Sequence, residues 1–357
     1  MNFDLSEEQE LLQQTIRQFA QNECPPTRVR ELFDAEEELD RALWNGLVEL
    51  GVGGLHLPEE HGGAGLELLD LALAAEVLGW AAVPGPFLGH SLAGLAIARG
   101  GSDAQKKAWL PKLATGDALA TVAFRDADGG WLPEDWTAAA AGTLDGAKTA
   151  VPYGAQADVI VVGTAGGGLA LVERGSGVEA KAMDGADRSR RLHDVAFSGA
   201  ACEPLPDGAA AAGPVVDAGL LLLAADAFGG ASRLVEMCTE YAKTREQFGV
   251  TIGHFQALKH QLASMAIEVE PSRGLWWYAA HAADHIAEDR ERYAALAKAH
   301  LTEIYLQVAR DSVEAHGGIG FTWECDVQIW FKRAMFDRAF LGQPSLHRER
   351  SAKLSGW

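Results

Sequence analysis

Apolar residues recur at helical spacing near the start of the chain. Leu11, Leu12, Ile16 and Phe19 fall on one stripe, and Ser6 precedes them as an N-cap. Pro25-Pro26 ends that helix. Similar patterns cover 36–50, 66–78 and 105–113, the last closed by Thr115-Gly116. The Gly-rich stretch 51–65 lacks the GxxxxGK[ST] spacing and reads as turns between helices. From 119 to 205 the period changes. Short apolar runs at 120–124, 137–141, 159–162, 169–172 and 195–197, separated by Gly, Asp and Pro, predict the strands of a small barrel or sandwich. Asp145-Gly146 reads as a hairpin turn. Residues 205–213 are rich in Pro, Gly and Ala and read as a connector. Beyond it, 215–245, 256–287, 292–315, 325–340 and 345–354 predict the helices of a four-helix bundle. The expected fold class is α+β in three parts: a helical domain over 1–118, a β domain over 119–205 and a helical bundle over 206–357.

Composition narrows the function. The chain has 357 residues, a length for two or three domains, and its 48% hydrophobic content supports a real core. With 30 basic and 50 acidic residues the net charge is −20, which argues against nucleic acid and an anionic membrane surface as partners. It leaves room for a local basic pocket. Cys24, Cys202, Cys238 and Cys325 form no CxxC pair, so neither a zinc site nor a disulfide framework is read. His281, His285 and His316 are not spaced as a metal set, and no metal is expected. The acidic opening Met1-Asn2-Phe3-Asp4-Leu5-Ser6-Glu7-Glu8 has no apolar core of a signal peptide. The most apolar stretch, 218–228, reads as too short and too polar for a membrane span because it carries Asp226. A cytoplasmic location is the expectation.

Six motifs carry chemistry. Leu57-Pro58-Glu59-Glu60-His61-Gly62-Gly63-Ala64-Gly65 and Gln105-Lys106 with Trp109-Leu110-Pro111 and Gly116 lie in the first part. Asp145-Gly146-Ala147-Lys148 lies in the second. The third holds Thr244-Arg245-Glu246-Gln247-Phe248-Gly249, Phe255-Gln256-Ala257-Leu258-Lys259-His260 and His316-Gly317-Gly318-Ile319-Gly320-Phe321. In this order they resemble the acyl-CoA dehydrogenase family over essentially the whole chain. The resemblance implies FAD as cofactor and an acyl-CoA thioester as substrate, with a carboxylate taking the α-proton while the β-hydride goes to the flavin. It implies that Arg245 meets the FAD pyrophosphate of a neighbouring subunit, a task suited to a planar guanidinium. Phe248, Gln256 and Glu314 join it on the cofactor, and Gly317 and Gly318 let backbone come close. Glu314 stands where relatives usually carry Gln. A surface ion pair with Glu240 or Glu246 is the simpler role for Arg245. An electron-transfer flavoprotein or similar acceptor is the implied electron partner.

The sequence also departs from the family pattern. Most relatives place the catalytic Glu before a Gly near the C-terminus, where Leu341 precedes Gly342 here. A minority place it thirty residues before the Gly of the F-G pair, where Gly219 stands. Neither side chain accepts a proton, and losing a positioned base costs on the order of 10²–10⁴-fold. The family's T-E-x-x-x-G-S-D segment, which gives donors to flavin and thioester, reads Phe124-Arg125-Asp126-Ala127-Asp128-Gly129-Gly130. Ala150 and Pro152 replace an aromatic and a Thr that flank the isoalloxazine.

The chain thus keeps one half of a shared FAD site and has lost the other. That pattern is expected of the accessory subunit in an α2β2 heteromer with a paralogous partner, a form known among bacterial enzymes for steroid side-chain thioesters, whose tail 341–350 resembles. Two alternatives stand beside it. One is a self-sufficient homo-oligomer using Asp226, set in an apolar helix segment, as catalytic base; a structural Asp paired with Arg or Lys is the simpler role. The other is a non-catalytic acyl-CoA-binding scaffold. Arg188, Arg190 and Arg191 form a basic cluster for a CoA phosphate or a solvated loop. Trp276, Trp277 and Tyr278 read as core or interface packing.

Overall fold

The computed structural model describes residues 4–357; the first three residues of the acidic opening lie outside the described part. Six helices come first: α1 Glu7–Glu23, α2 Pro26–Asp34, α3 Arg41–Glu49, α4 Leu68–Trp80, α5 Phe87–Gly100 and α6 Asp103–Thr115. Seven strands follow: β1 Ala120–Ala123, β2 Thr143–Pro152, β3 Val159–Thr164, β4 Gly168–Glu173, β5 Val178–Ala182, β6 Leu192–Ala201 and β7 Glu203–Pro204. The rest comprises α7 Gly208–Thr244, a small ribbon of β8 Glu246–Gln247 and β9 Val250–Thr251, then α8 Gln256–Val269, α9 Arg273–His285, α10 Ala287–His316, α11 Val327–Ala339 and α12 Pro344–Leu354.

Capping explains several boundaries. Ser6 and Gln9 form a capping box on α1, and Ser102 and Gln105 form another on α6, which ends at Gly116 with φ 73°. The sequence pattern begins a helix at 36, but α3 starts at Arg41 because Asp40 Oδ1 accepts from the Ala42 and Leu43 amides at 3.0 and 3.1 Å. The connector expected over 205–213 is largely helix. Its alanines favour α7 from Gly208 onward, and Pro214 sits within the second turn. The helix expected over 256–287 is broken by a 3-10 turn, Glu270–Ser272, that contains Pro271.

Chain contacts divide the molecule into two units. One comprises the residues up to Glu31, Ala72–Val83 and Leu221–Trp357. Its axis is α10, which packs on α8, α9, α11 and α12. Here α4 and α7 cross at backbone contact. A Cβ on Gly79 would lie 2.2 Å from the Asp226 carbonyl oxygen, and one on Gly229 would lie 1.9 Å from that of Glu76. By length and composition α7 could cross a membrane, yet 78% of its apolar window is buried inside the protein, so it is a core helix.

The other unit comprises Leu32–Leu71 and Pro84–Leu220. It holds a four-stranded sheet of order β1-β3-β4-β7 and a three-stranded sheet of order β2-β6-β5. Leu144, Val151, Ile160, Val162, Val172, Val195 and Phe197 from both sheets form one apolar core. Asp145-Gly146 is not a hairpin turn. It lies inside β2, where the pairing with β6 slips between Leu144 and Gly146 and Gly146 takes φ 132°, the signature of a bulge. Residues 137–141 form no strand and contribute only a bridge from Ala140 to Leu144.

Candidate functional site

The end of α7 turns into a two-residue hairpin. Phe248 and Gly249 both take positive φ, 56° and 79°, as a type I′ connection of β8 to β9 requires. This turn presents Phe248 to solvent at 92% exposure. The chain then folds back under α7, where Gly253 comes so near that a Cβ would lie 2.8 Å from the Ala242 carbonyl oxygen. Arg245 sits at the helix–hairpin junction; its amide donates to Tyr241 O at 2.8 Å and its carbonyl accepts from the Ile252 amide at 2.8 Å. Among the described residues its guanidinium has no ion-pair partner, and Glu240 pairs with Lys243 at 2.7 Å.

The end of α10 brings a second wall. His316 Nδ1 donates to the Ser312 carbonyl at 2.8 Å, and its ring stacks on Tyr241 with centroids 4.4 Å apart. Burial pushes the His316 pKa below the usual imidazole value. Gly317 then leaves the helix at φ 65°, ψ −144°, a region open to glycine alone. Gly318 lies in the 3-10 turn Gly317–Phe321, and a Cβ on it would meet nothing within 4 Å.

These walls enclose an open cleft of about 430 Å³ lined by Tyr241, Arg245, Gln247, Ile252, Glu314, His316, Gly317, Gly318 and Ile319. Four of the six residues expected on the cofactor, Arg245, Glu314, Gly317 and Gly318, come together there. Gln256 begins α8 and Phe248 tips the hairpin; neither lines the cleft. Tyr241, Gln247, Ile252 and His316 were missed as lining residues, because only the meeting of the α7 and α10 ends puts them in one place. The cleft fits a phosphate-bearing ligand: a guanidinium with no ion-pair partner among the described residues lines it together with two glycines at which a Cβ would meet nothing within 4 Å.

Asp226 corrects an expectation. Both its oxygens are held by buried Arg333, Oδ1 from Nε at 2.8 Å and Oδ2 from Nη2 at 2.6 Å, and Arg333 also donates to the Val83 carbonyl. The carboxylate is 2% exposed and engaged on both oxygens, so it is a structural counter-ion rather than a free base. Two members of the basic cluster are turned inward, while Arg188 stays half-exposed with Asp184 at 3.7 Å. Arg191 donates to the Leu32, Phe33 and Ala35 carbonyls at the end of α2, and Arg190 is 5% exposed. Trp276 is fully buried beside Phe228. Among the described residues no three His, Cys, Asp or Glu side chains gather as a metal set. All four cysteines are free and buried.

The β unit handles its polar groups differently. Lys148, 1% exposed, donates to Asp126 Oδ1 at 2.8 Å and to the Phe124 carbonyl at 3.0 Å. Burial lowers its pKa, with Asp126 opposing the shift. Phe124 stacks on Trp136 at 4.9 Å, and Trp136 Nε1 donates to the Trp131 carbonyl. Arg125 Nε donates to Gly129 O at 3.2 Å with its guanidinium over Trp131. At the β2 position where relatives carry an aromatic, Ala150 takes φ 56° in a second bulge of β2. Leu341 is fully buried at φ 57°.

A helical region, two small sheets and a helical bundle with this cleft define the architecture of the acyl-CoA dehydrogenases. The chain belongs to that family: residues 6–117 match the Acyl-CoA dehydrogenase, N-terminal domain, and residues 207–355 the Acyl-CoA dehydrogenase, C-terminal domain. Members are flavin-dependent oxidoreductases that use FAD. The chain is 35% identical over 344 residues to the acyl-CoA dehydrogenase IpdE2 of Mycolicibacterium smegmatis, covering 95% of this chain and 96% of the relative. Among solved structures it resembles a variant of the Tcur3481-Tcur3483 steroid ACAD, with a TM-score of 0.91 at 32% identity over 98% of each chain. The ChsE4-ChsE5 complex from Mycobacterium tuberculosis gives a TM-score of 0.89 at 28% identity, covering 100% of this chain and 99% of that one.

Proposed function

We propose that this chain is the accessory subunit of a heteromeric, FAD-dependent acyl-CoA dehydrogenase, pairing with a paralogous subunit to desaturate a bulky, steroid-derived acyl-CoA. The observation that carries this reading is the contrast between Arg245, which lines one cleft with Gly317 and Gly318 and has no ion-pair partner among the described residues, and the apolar Leu341 and Gly219 where family members hold their base. The likeness to a steroid ACAD supports the substrate class, and that protein and the ChsE4-ChsE5 complex, both named for two components, support the heteromer.

FAD, when bound, supplies the acceptor for the β-hydride. Arg245 would hold its pyrophosphate, and the Gly317–Gly318 backbone would offer amide donors to it. Glu314, as a carboxylate, would only accept hydrogen bonds, which suits ribose hydroxyls rather than phosphate. Phe248 and Gln256 would meet the adenosine half. The carboxylate that takes the α-proton would come from the paralogous subunit. Electrons leave to an electron-transfer flavoprotein or similar acceptor. Four free, buried cysteines suit a reducing cytoplasm.

Purification with and without a co-expressed paralogous subunit tests the reading. Alone, the chain is expected to be colourless and inactive; together, the pair carries two flavins per four subunits and turns over. Full flavin and turnover in the lone chain would overturn it. Within the pair, Arg245→Ala should weaken FAD binding roughly 100-fold, the loss of charged hydrogen bonds, with an unchanged Tm because the guanidinium pairs with no other described residue.

A further inference from the structure

The glycine turn of the cleft is held from behind. Between α10 and α11 the chain passes through the turn Gly317–Phe321 and then Trp323 and Asp326. Several ties are local. Gly320 lies so near α10 that a Cβ would come 2.2 Å from the Val313 carbonyl oxygen. Gln328 Nε2 donates to Gly320 O, and Thr322 Oγ1 donates to Ile319 O at 2.8 Å.

One tie comes from far away in sequence. Arg30 on α2 donates from Nε and Nη2 to Asp326 Oδ1 at 2.9 and 2.8 Å and from Nη1 to the Trp323 carbonyl. Its guanidinium carbon also lies 4.8 Å from the Trp323 ring centroid. Lys332 adds a second cation 3.7 Å from the same ring. The Arg30 side chain is 19% exposed, so these bonds are only partly screened by water. A planar fork with stacking faces can make all four contacts at once; an ammonium cannot.

We propose that Arg30 is a positioning residue for the cleft. By pinning Trp323 and Asp326 it fixes one end of the short link whose other end is Gly317–Gly318. Two adjacent glycines are the pliant part of that link, and Gly317 already occupies a conformation that only glycine sustains. With the far end anchored, the turn holds one height and its amides keep one direction. Arg30 itself lines no part of the cleft. The inference rests on the reading of the cleft as an FAD half-site.

Hydrogen exchange and FAD titration together test it. In Arg30→Gln, amides of 317–326 should exchange about tenfold faster while α7 amides keep their rates, as expected of a local opening. FAD affinity of the two-subunit complex should fall about tenfold in parallel. Arg30→Lys should lie between the two, retaining charge without the fork. Asp326→Asn should move both readouts the same way, and it carries the test if Arg30→Gln does not fold. The double variant should be no worse than the more severe single one. Unchanged exchange over 317–326 in folded variants overturns the proposal, as does faster exchange with unaltered FAD affinity. Arg245→Ala, measured in parallel, separates the two ideas: if it leaves FAD affinity intact the half-site reading fails, while the exchange data still judge the Arg30 clamp.

Discussion

The cleft at the ends of α7 and α10 and the segment from Phe124 to Lys148 treat similar residues in opposite ways. In the cleft, Arg245 has no ion-pair partner among the described residues and a Cβ on either of two glycines would meet open space. In the β unit, Arg125 is spent on Gly129 O and Trp131, Lys148 on Asp126 and Phe124 O, and Trp136 on Phe124. An unpaired guanidinium is stable in water, but an exposed cradle of glycine gains nothing for its own fold. A buried ammonium, by contrast, must have its partner within the fold. On the proposed reading the first region serves a ligand from outside the chain and the second serves the chain itself, which is the difference between a binding half that is kept and one whose polar groups have turned to structural work.

The sharpest way to break the comparison is to strip Lys148 of its partner. Asp126→Ala leaves a nearly fully buried ammonium with one carbonyl, and breaking such a pair costs about 3–5 kcal/mol. It also removes the acceptor for the Thr137 amide. Urea unfolding should record the loss, and the double variant Asp126→Ala with Lys148→Met should recover most of it. FAD affinity of the complex should stay level. A loss of flavin without a loss of stability would mean that this segment is a working flavin contact, and the contrast between the regions would vanish.

Much of the contrast was readable before any coordinates. Arg245, Gly317 and Gly318 stand out because their motif spacings are rigid, and the loss of the T-E-x-x-x-G-S-D pattern is visible by eye. What sequence could not supply was pairing across distance. Asp226 looks like a free buried acid until Arg333, 107 positions later, takes both its oxygens. Arg188, Arg190 and Arg191 look like a surface patch until Arg191 turns onto the end of α2. In the fold, α5 escaped notice because it is buried almost all round from Phe87 to Ile97 and so has no polar stripe to set a 3.6-residue period. Asp145-Gly146 carries a hairpin's letters, but a bulge uses the same conformational freedom.

Acid should distinguish the two regions next. In the β-containing unit, burial lowers His90 to about 4, and burial with neighbouring positive charge from His90 and Arg99 lowers His56 to about 3. Between those values and the unfolded value of about 6.5, the unfolded chain binds a proton that the native chain refuses, so stability rises with pH across that window. It is fully present above about pH 6.5 and lost as pH falls toward 4, on the order of 3 kcal/mol for each imidazole. His90→Gln should flatten that part of the stability–pH curve, as read by urea midpoints at pH 7 and 4.5. His316 at the cleft is less deeply enclosed, and His316→Gln should flatten it less. Equal slopes in both variants would erase the distinction between a sealed region and an open one.

The finest test uses a single methyl group placed at two neighbouring positions. Gly317→Ala forces a side chain into φ 65°, ψ −144°, a strain of about 1–3 kcal/mol that thermal unfolding should register. Gly318→Ala meets no atom within 4 Å and no backbone penalty in the 3-10 turn, so the free chain should melt as before. Both glycines line the same cleft, however, and on the proposed reading both methyls should weaken FAD loading of the complex about tenfold by holding the cofactor off the backbone. The discriminating variant is Gly318→Ala, because its methyl is harmless to the fold and can only obstruct a visitor. Should it leave flavin loading untouched, the space above Gly318 is not where the cofactor lies, and the openness of this region would need another explanation than a ligand.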